Sequence, residues 1–75
     1  MLDYEFKYTR YNQDYVYTDE NLGYLLNTMI NHFYSGFSCC QRVIDHNNKI
    51  IYVLLEEEAQ KFEPNLNYEI EVLDF

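Results

Sequence analysis

Residues 49–55 contain the longest apolar run of the chain: Ile50, Ile51, Tyr52, Val53, Leu54 and Leu55 follow Lys49 without interruption. Six successive apolar or aromatic residues, partly β-branched and free of Gly and Pro, suit a strand covered on both faces. The run therefore predicts the central strand of a sheet. Glu56, Glu57 and Glu58 close it, because adjacent carboxylates repel one another and each needs water. Residues 2–11 alternate, with Leu2, Tyr4, Phe6 and Tyr8 against Asp3, Glu5, Lys7 and Thr9, the pattern of a half-buried strand. Asn12, Gln13 and Asp14 signal a turn, and Tyr15, Val16 and Tyr17 a short extended piece. Thr18 suits an N-cap, with Asp19 and Glu20 in the first turn. From there Leu22, Leu25, Leu26, Met29, Ile30 and Phe33 recur at spacings of three and four, which predicts an amphipathic helix over residues 19–34, ended by Gly36.

Residues 37–45 return to alternation, with Phe37, Cys39, Gln41 and Val43 against Ser38, Cys40, Arg42 and Ile44. Asp45, His46, Asn47 and Asn48 read as a hairpin turn, since Asn tolerates positive φ. That turn makes residues 49–55 antiparallel to their predecessor. Residues 56–62 suit a short helix ending before Pro64, 65–67 a linker, and 68–72 a last strand with Glu69 and Glu71 outward. The expected fold is α+β: a small, mostly antiparallel sheet of three to four strands with one amphipathic helix packed on one face. The order is β-α-β-β-(short α)-β, in a single domain over residues 1–75.

Length limits the stability the core can supply. A chain of 75 residues buries only ~60% of the surface its unfolded form exposes. Self-association is the natural supplement, so a homodimer is expected. Cys39 and Cys40 are neighbours and cannot form a spaced disulfide framework, which suits reduced thiols in a cytoplasmic protein. The N-terminus is acidic where a signal peptide is basic, and no segment approaches the ~20 apolar residues of a membrane span.

Charge bears on partners. Thirteen Asp and Glu face five Lys and Arg, a formal charge of −8 that repels nucleic acid and anionic membranes and attracts basic proteins. Nine Tyr, five Phe and 48% hydrophobic residues rule out a disordered acidic tail. Catalytic chemistry finds no support. The two cysteines lack zinc or redox spacing, His32 and His46 stand apart, no Asp-x-Asx-x-Asx-Gly loop is present, and two glycines cannot build a phosphate loop. The chain reads as a non-enzyme with no catalytic residue, metal or cofactor.

What remains is the acids and the tyrosines. Asp3 and Glu5, and likewise Glu69 and Glu71, are spaced i, i+2 on strands, so each pair projects from one face about 6.7 Å apart. Were the two strands neighbours, four carboxylates would form a patch resembling a stretch of phosphate backbone. Glu56, Glu57, Glu58 and Glu63 form a second group, and Asp14, Asp19 and Glu20 a third; the plain alternative is a solvated surface that confers solubility. Nine tyrosines exceed what so small a core can bury with satisfied hydroxyls, and exposed ones such as Tyr15 and Tyr17 are favoured protein-contact residues.

The short, acidic, Tyr- and Asn-rich chain resembles early proteins of bacteriophages infecting low-GC Gram-positive bacteria, a group that includes DNA-mimicking inhibitors. Among these it is most similar, in size and composition, to the phage inhibitors of the staphylococcal DNA sliding clamp. The resemblance extends over the whole chain as composition, with Asp3/Glu5, Glu69/Glu71 and the glutamates at 56, 57 and 58 as its carriers. It implies an inhibitor in the bacterial host cytoplasm that occupies the basic DNA-binding surface of a host protein, a sliding clamp first. The resemblance contains no motif and maps no residue across; the contacts expected from the acids and tyrosines themselves are Asp3, Glu5, Asp19, Glu20, Glu56, Glu57, Glu58, Glu63, Glu69, Glu71, Tyr15 and Tyr17. A CRISPR nuclease or repair enzyme as target, or an acidic adaptor without mimicry, are the alternatives.

Overall fold

The first hairpin turns tightly at Tyr11 and Asn12, both at positive φ (53° and 61°). Two such residues between paired Arg10 and Gln13 form a two-residue loop of the type whose twist matches that of its strands. Strand β1 (Tyr4–Arg10) thereby pairs antiparallel with β2 (Gln13–Asp19) over seven residues without a break. In the computed structural model, which describes residues 3–36, 38–55, 61 and 63–73, helix α1 (Leu22–Ser35) follows, then β3 (Cys39–Asp45), β4 (Ile50–Val53) and β5 (Glu69–Val72). The sheet order is β2-β1-β3-β4-β5.

The α+β class is as expected, but the sheet has five strands and is mixed. Of the segment 12–17, expected as a turn and a short piece, Asn12 is in the turn and residues 13–17 are most of a full strand. The alternation of Asp14, Val16 and Thr18 with Tyr15 and Tyr17 carries it to Asp19. The helix start moves accordingly: Thr18 lies within β2, and Asn21 is the N-cap, its Oδ1 accepting the Tyr24 N–H at 3.0 Å. Asp19 accepts the Asn21 N–H at 2.7 Å, so it shapes the entry to the helix from outside its first turn. Gly36 ends the helix in the left-handed region at φ 73°.

The central strand is β3, not the run at 49–55. β4 keeps only four residues of that run, and β5 lies beyond it, parallel to β4. A hairpin forces antiparallel pairing, whereas the fifteen-residue connection between β4 and β5 is long enough to return to the same end of the sheet. The short helix expected at 56–62 falls largely outside the described residues.

The helix packs over β1 and β3. On that face Phe6, Tyr8, Val43, Leu25, Met29 and Leu54 form one core. On the opposite face Ile44, Ile51 and Val53 form a second, covered by Leu66 and Tyr68 of the connection to β5. Two-sided cover explains the near-continuous apolar character of 50–54. A bulge sets the faces of β3: between the pairs Lys7–Arg42 and Thr9–Cys39, Tyr8 alone faces Cys40 and Gln41. Cys40 takes φ 62° there. The expected single face of Cys39, Gln41 and Val43 is thereby broken, and Cys39 turns out to solvent.

Candidate functional site

The register decides where the acids lie. The start of β1, the end of β2, the end of β3 and the starts of β4 and β5 all meet at one end of the sheet. Among the described residues that end therefore gathers Asp3, Glu5, Asp19, Glu20, Asp45 and Glu69, six carboxylates against one lysine, Lys49. At ~4.8 Å per strand the band extends about 19 Å across the five strands. Glu71 sits one turn of the pleat inward, and Asp14 lies at the opposite end.

The four-carboxylate patch expected from neighbouring first and last strands does not form. β3 and β4 separate β1 from β5. Neither Glu5 nor Glu63 is a spare charge. Glu5 accepts from His46 Nε2, and His46 Nδ1 lies 2.8 Å from the Tyr68 hydroxyl, a chain that ties β1, the β3–β4 turn and the approach to β5 together. Glu63 Oε1 receives Arg42 Nε at 2.9 Å and Lys7 Nζ at 3.3 Å, fixing the connection onto the sheet. Glu56, Glu57 and Glu58 lie outside the described residues. Asp3, Glu20, Glu69 and Glu71 remain exposed, and among the described residues they make no ion pair.

Asp45 is acidic and fully buried. Its Oδ1 accepts the N–H groups of Asn47 (3.0 Å) and Asn48 (3.1 Å), and its Oδ2 accepts Asn48 Nδ2 at 2.8 Å. It closes the turn and offers nothing to a partner. The positive φ of this turn falls on Lys49 (57°) and not on the asparagines.

A second feature lies beside the helix. Because α1 sits over β1 and β3, it leaves β2 overhanging, and a groove of about 440 Å³ opens between Tyr17, Asp19, Tyr24, Thr28 and His32. Two of its lining residues, Tyr17 and His32, belong to an aromatic cluster: Tyr8 stacks on Tyr15 (5.2 Å) and Tyr17 (5.9 Å), and His32 lies 4.5 Å from Tyr8 and 5.1 Å from Phe6. Burial holds the His32 imidazole below its ordinary pKa, and the Arg10 guanidinium adds to this. Burial, with Tyr17 beside it, pushes the Tyr8 hydroxyl up to about 12. Tyr52 is raised by burial and by the carboxylates of Asp45 and Glu71.

Charge is also unevenly spread along the chain. Residues 21–41 contain no Asp, Glu, Lys or Arg, so the whole helix is uncharged, and its outer side shows Tyr24, Asn27, Asn31 and Tyr34. Sequence reasoning singled out Tyr15 and Tyr17 but missed the His46–Glu5–Tyr68 chain, which joins residues 41 and 22 positions apart and leaves no local signal. Among the described residues no group of three or more Cys, His, Asp and Glu is arranged to hold a metal ion, and no helix is long and apolar enough to cross a membrane. Comparison with protein-family models, with curated proteins and with solved structures finds no match.

Proposed function

We propose that this protein is a DNA-mimicking inhibitor that docks on the basic DNA-binding surface of a bacterial host protein, a sliding clamp first, and keeps DNA away from it. The observation that supports this reading is the gathering of carboxylates at one end of the sheet, with Asp3, Glu20 and Glu69 exposed and, among the described residues, not engaged in ion pairs there. Duplex DNA carries a charge every ~1.7 Å of axis, so the exposed carboxylates of Asp3, Glu20 and Glu69, spread over about 19 Å, are far sparser than the ligand they would replace. Charge alone then provides steering and fast association, and the remaining affinity falls to neutral contacts such as Tyr17. The test is a variant in which Asp3, Glu20, Glu69 and Glu71 become Asn or Gln, with a second in which Glu56, Glu57 and Glu58 become Gln. Expected are a retained fold, weaker clamp binding and a flatter salt dependence in at least one of them. Undiminished inhibition of DNA loading in both folded variants overturns the mimicry.

The uncharged helix favours a second reading, an acidic adaptor that binds through Tyr24 and Tyr34. Binding that ignores salt but is lost on Tyr24→Ser with Tyr34→Ser selects it over mimicry. A CRISPR nuclease or repair enzyme as target keeps the mechanism and changes only the partner captured.

A further inference from the structure

We propose that two copies of this chain pair through β2, antiparallel and centred on Val16, so that two five-stranded sheets join into one continuous sheet. The inference stands independently of the reading above, since it concerns the protein alone.

Among the described residues β2 and β5 are the edges of the sheet, and they differ in kind. β5 is four residues long with Glu69 and Glu71 exposed, a short charged edge that deters strand addition. β2 is seven residues long, pairs with β1 without a bulge, and contains neither Lys nor Pro. Its middle shows solvent apolar side chains on both faces: Val16 is 52% exposed on one and Tyr17 53% on the other. Such an edge is an open template unless something covers it.

The hairpin determines which backbone groups of β2 are available. The two-residue loop makes Arg10 and Gln13 a hydrogen-bonded pair, and antiparallel pairs alternate between bonded and non-bonded. Gln13, Tyr15, Tyr17 and Asp19 therefore turn their N–H and C=O groups toward β1. Asp14, Val16 and Thr18 turn theirs outward. Centring on Val16 places Val16 opposite its own copy, and Asp14 opposite Thr18 of the second copy and the reverse. All three outward residues then bond.

Side chains select the same register. Tyr15 comes opposite Tyr17 of the second copy, which continues the stack of Tyr8, Tyr15 and Tyr17 across the junction. Asp19 faces Gln13, and Asp14 faces Thr18, so no two carboxylates meet although each copy carries −8. Slipping by two residues one way sets Asp14 against Glu20. Slipping the other way pairs Thr18 with Asn12, whose φ of 61° is not extended. Odd slips set inward-facing groups against outward-facing ones. The occupant that fits this edge best is thus a second copy.

The test uses the purified full chain at tens of micromolar. Sedimentation should give twice 9.2 kDa, and hydrogen exchange should show the amides of Asp14, Val16 and Thr18 protected together with those of Tyr15 and Tyr17. Val16→Pro removes an outward N–H while sparing every bond to β1, so it should yield a folded monomer. Val16→Lys sets two ammonium groups face to face and should do the same if the proline variant fails to fold. A wild-type monomer at this concentration overturns the proposal. So does a dimer that persists in Val16→Lys, or one in which Asp14, Val16 and Thr18 exchange freely.

Discussion

Tyr8 shows how one side chain ties pH to the fold. Its hydroxyl is pushed from near 10 up to about 12 by burial and by Tyr17, so the unfolded chain gives up this proton more readily than the folded one. The stability it contributes is complete below pH 10 and is lost as pH rises from there to about 12. Urea unfolding followed across that window should show a falling midpoint, and Tyr8→Phe should flatten the fall. Lys49 is one of four non-glycine residues at positive φ among the described residues. A non-glycine side chain at φ 57° costs roughly 1–2 kcal/mol, part of which glycine gives back as chain entropy in the unfolded state. Lys49→Gly should therefore stabilise the protein by about 1 kcal/mol, measured by the same titration, and Lys49→Val should destabilise it. The asparagines beside it, the better candidates for positive φ by residue type, are held instead by the buried carboxylate of Asp45.

At the scale of elements, the contact of α1 with β1 and β3 holds the sheet in place. Phe6 and Met29 are both fully buried in that layer, and Leu54 reaches it from beyond β4. Phe6→Ala should cost ~3–5 kcal/mol and Leu54→Ala ~2–5 kcal/mol, large fractions of the stability of a 75-residue chain. A melting temperature unmoved by either substitution contradicts this core. The helix was legible almost to its ends because its apolar spacing and its terminal glycine are local. Its start shifted by three residues because Thr18, Asp19 and Glu20 are good first-turn residues, yet pairing with β1 outweighs that preference: Thr18 lies opposite Glu5 and Asp19 opposite Tyr4. The turn at Tyr11 and Asn12 was misplaced because it lacks the glycine that usually marks such loops.

For the whole molecule, the separation of charge matters more than its sum. The chain fills 29 × 26 × 24 Å, with six of its described carboxylates at one end of the sheet and its helix left neutral. Two surfaces of different character coexist in one small body. Salt should weaken contacts made by the first and leave those made by the second nearly unchanged. The clamp-binding test and the Tyr24/Tyr34 test separate them for that reason.

The α+β class, the amphipathic helix α1 with its cap at Gly36, the hairpin after Asp45 and an excess of carboxylates over cations are legible in the sequence alone. These follow from local periodicity and from composition, which need no partner in space. Strand order, the parallel placement of β5 and the identity of the central strand depend on which segments meet after a fifteen-residue connection. No local pattern encodes that meeting. The same holds for the site: thirteen acids could be counted, but only the register shows that Glu5 is held by His46 and Glu63 by Arg42 and Lys7. It likewise places Asp3, Glu20 and Glu69 at one end of the sheet, because strand pairing brings together residues far apart in the chain.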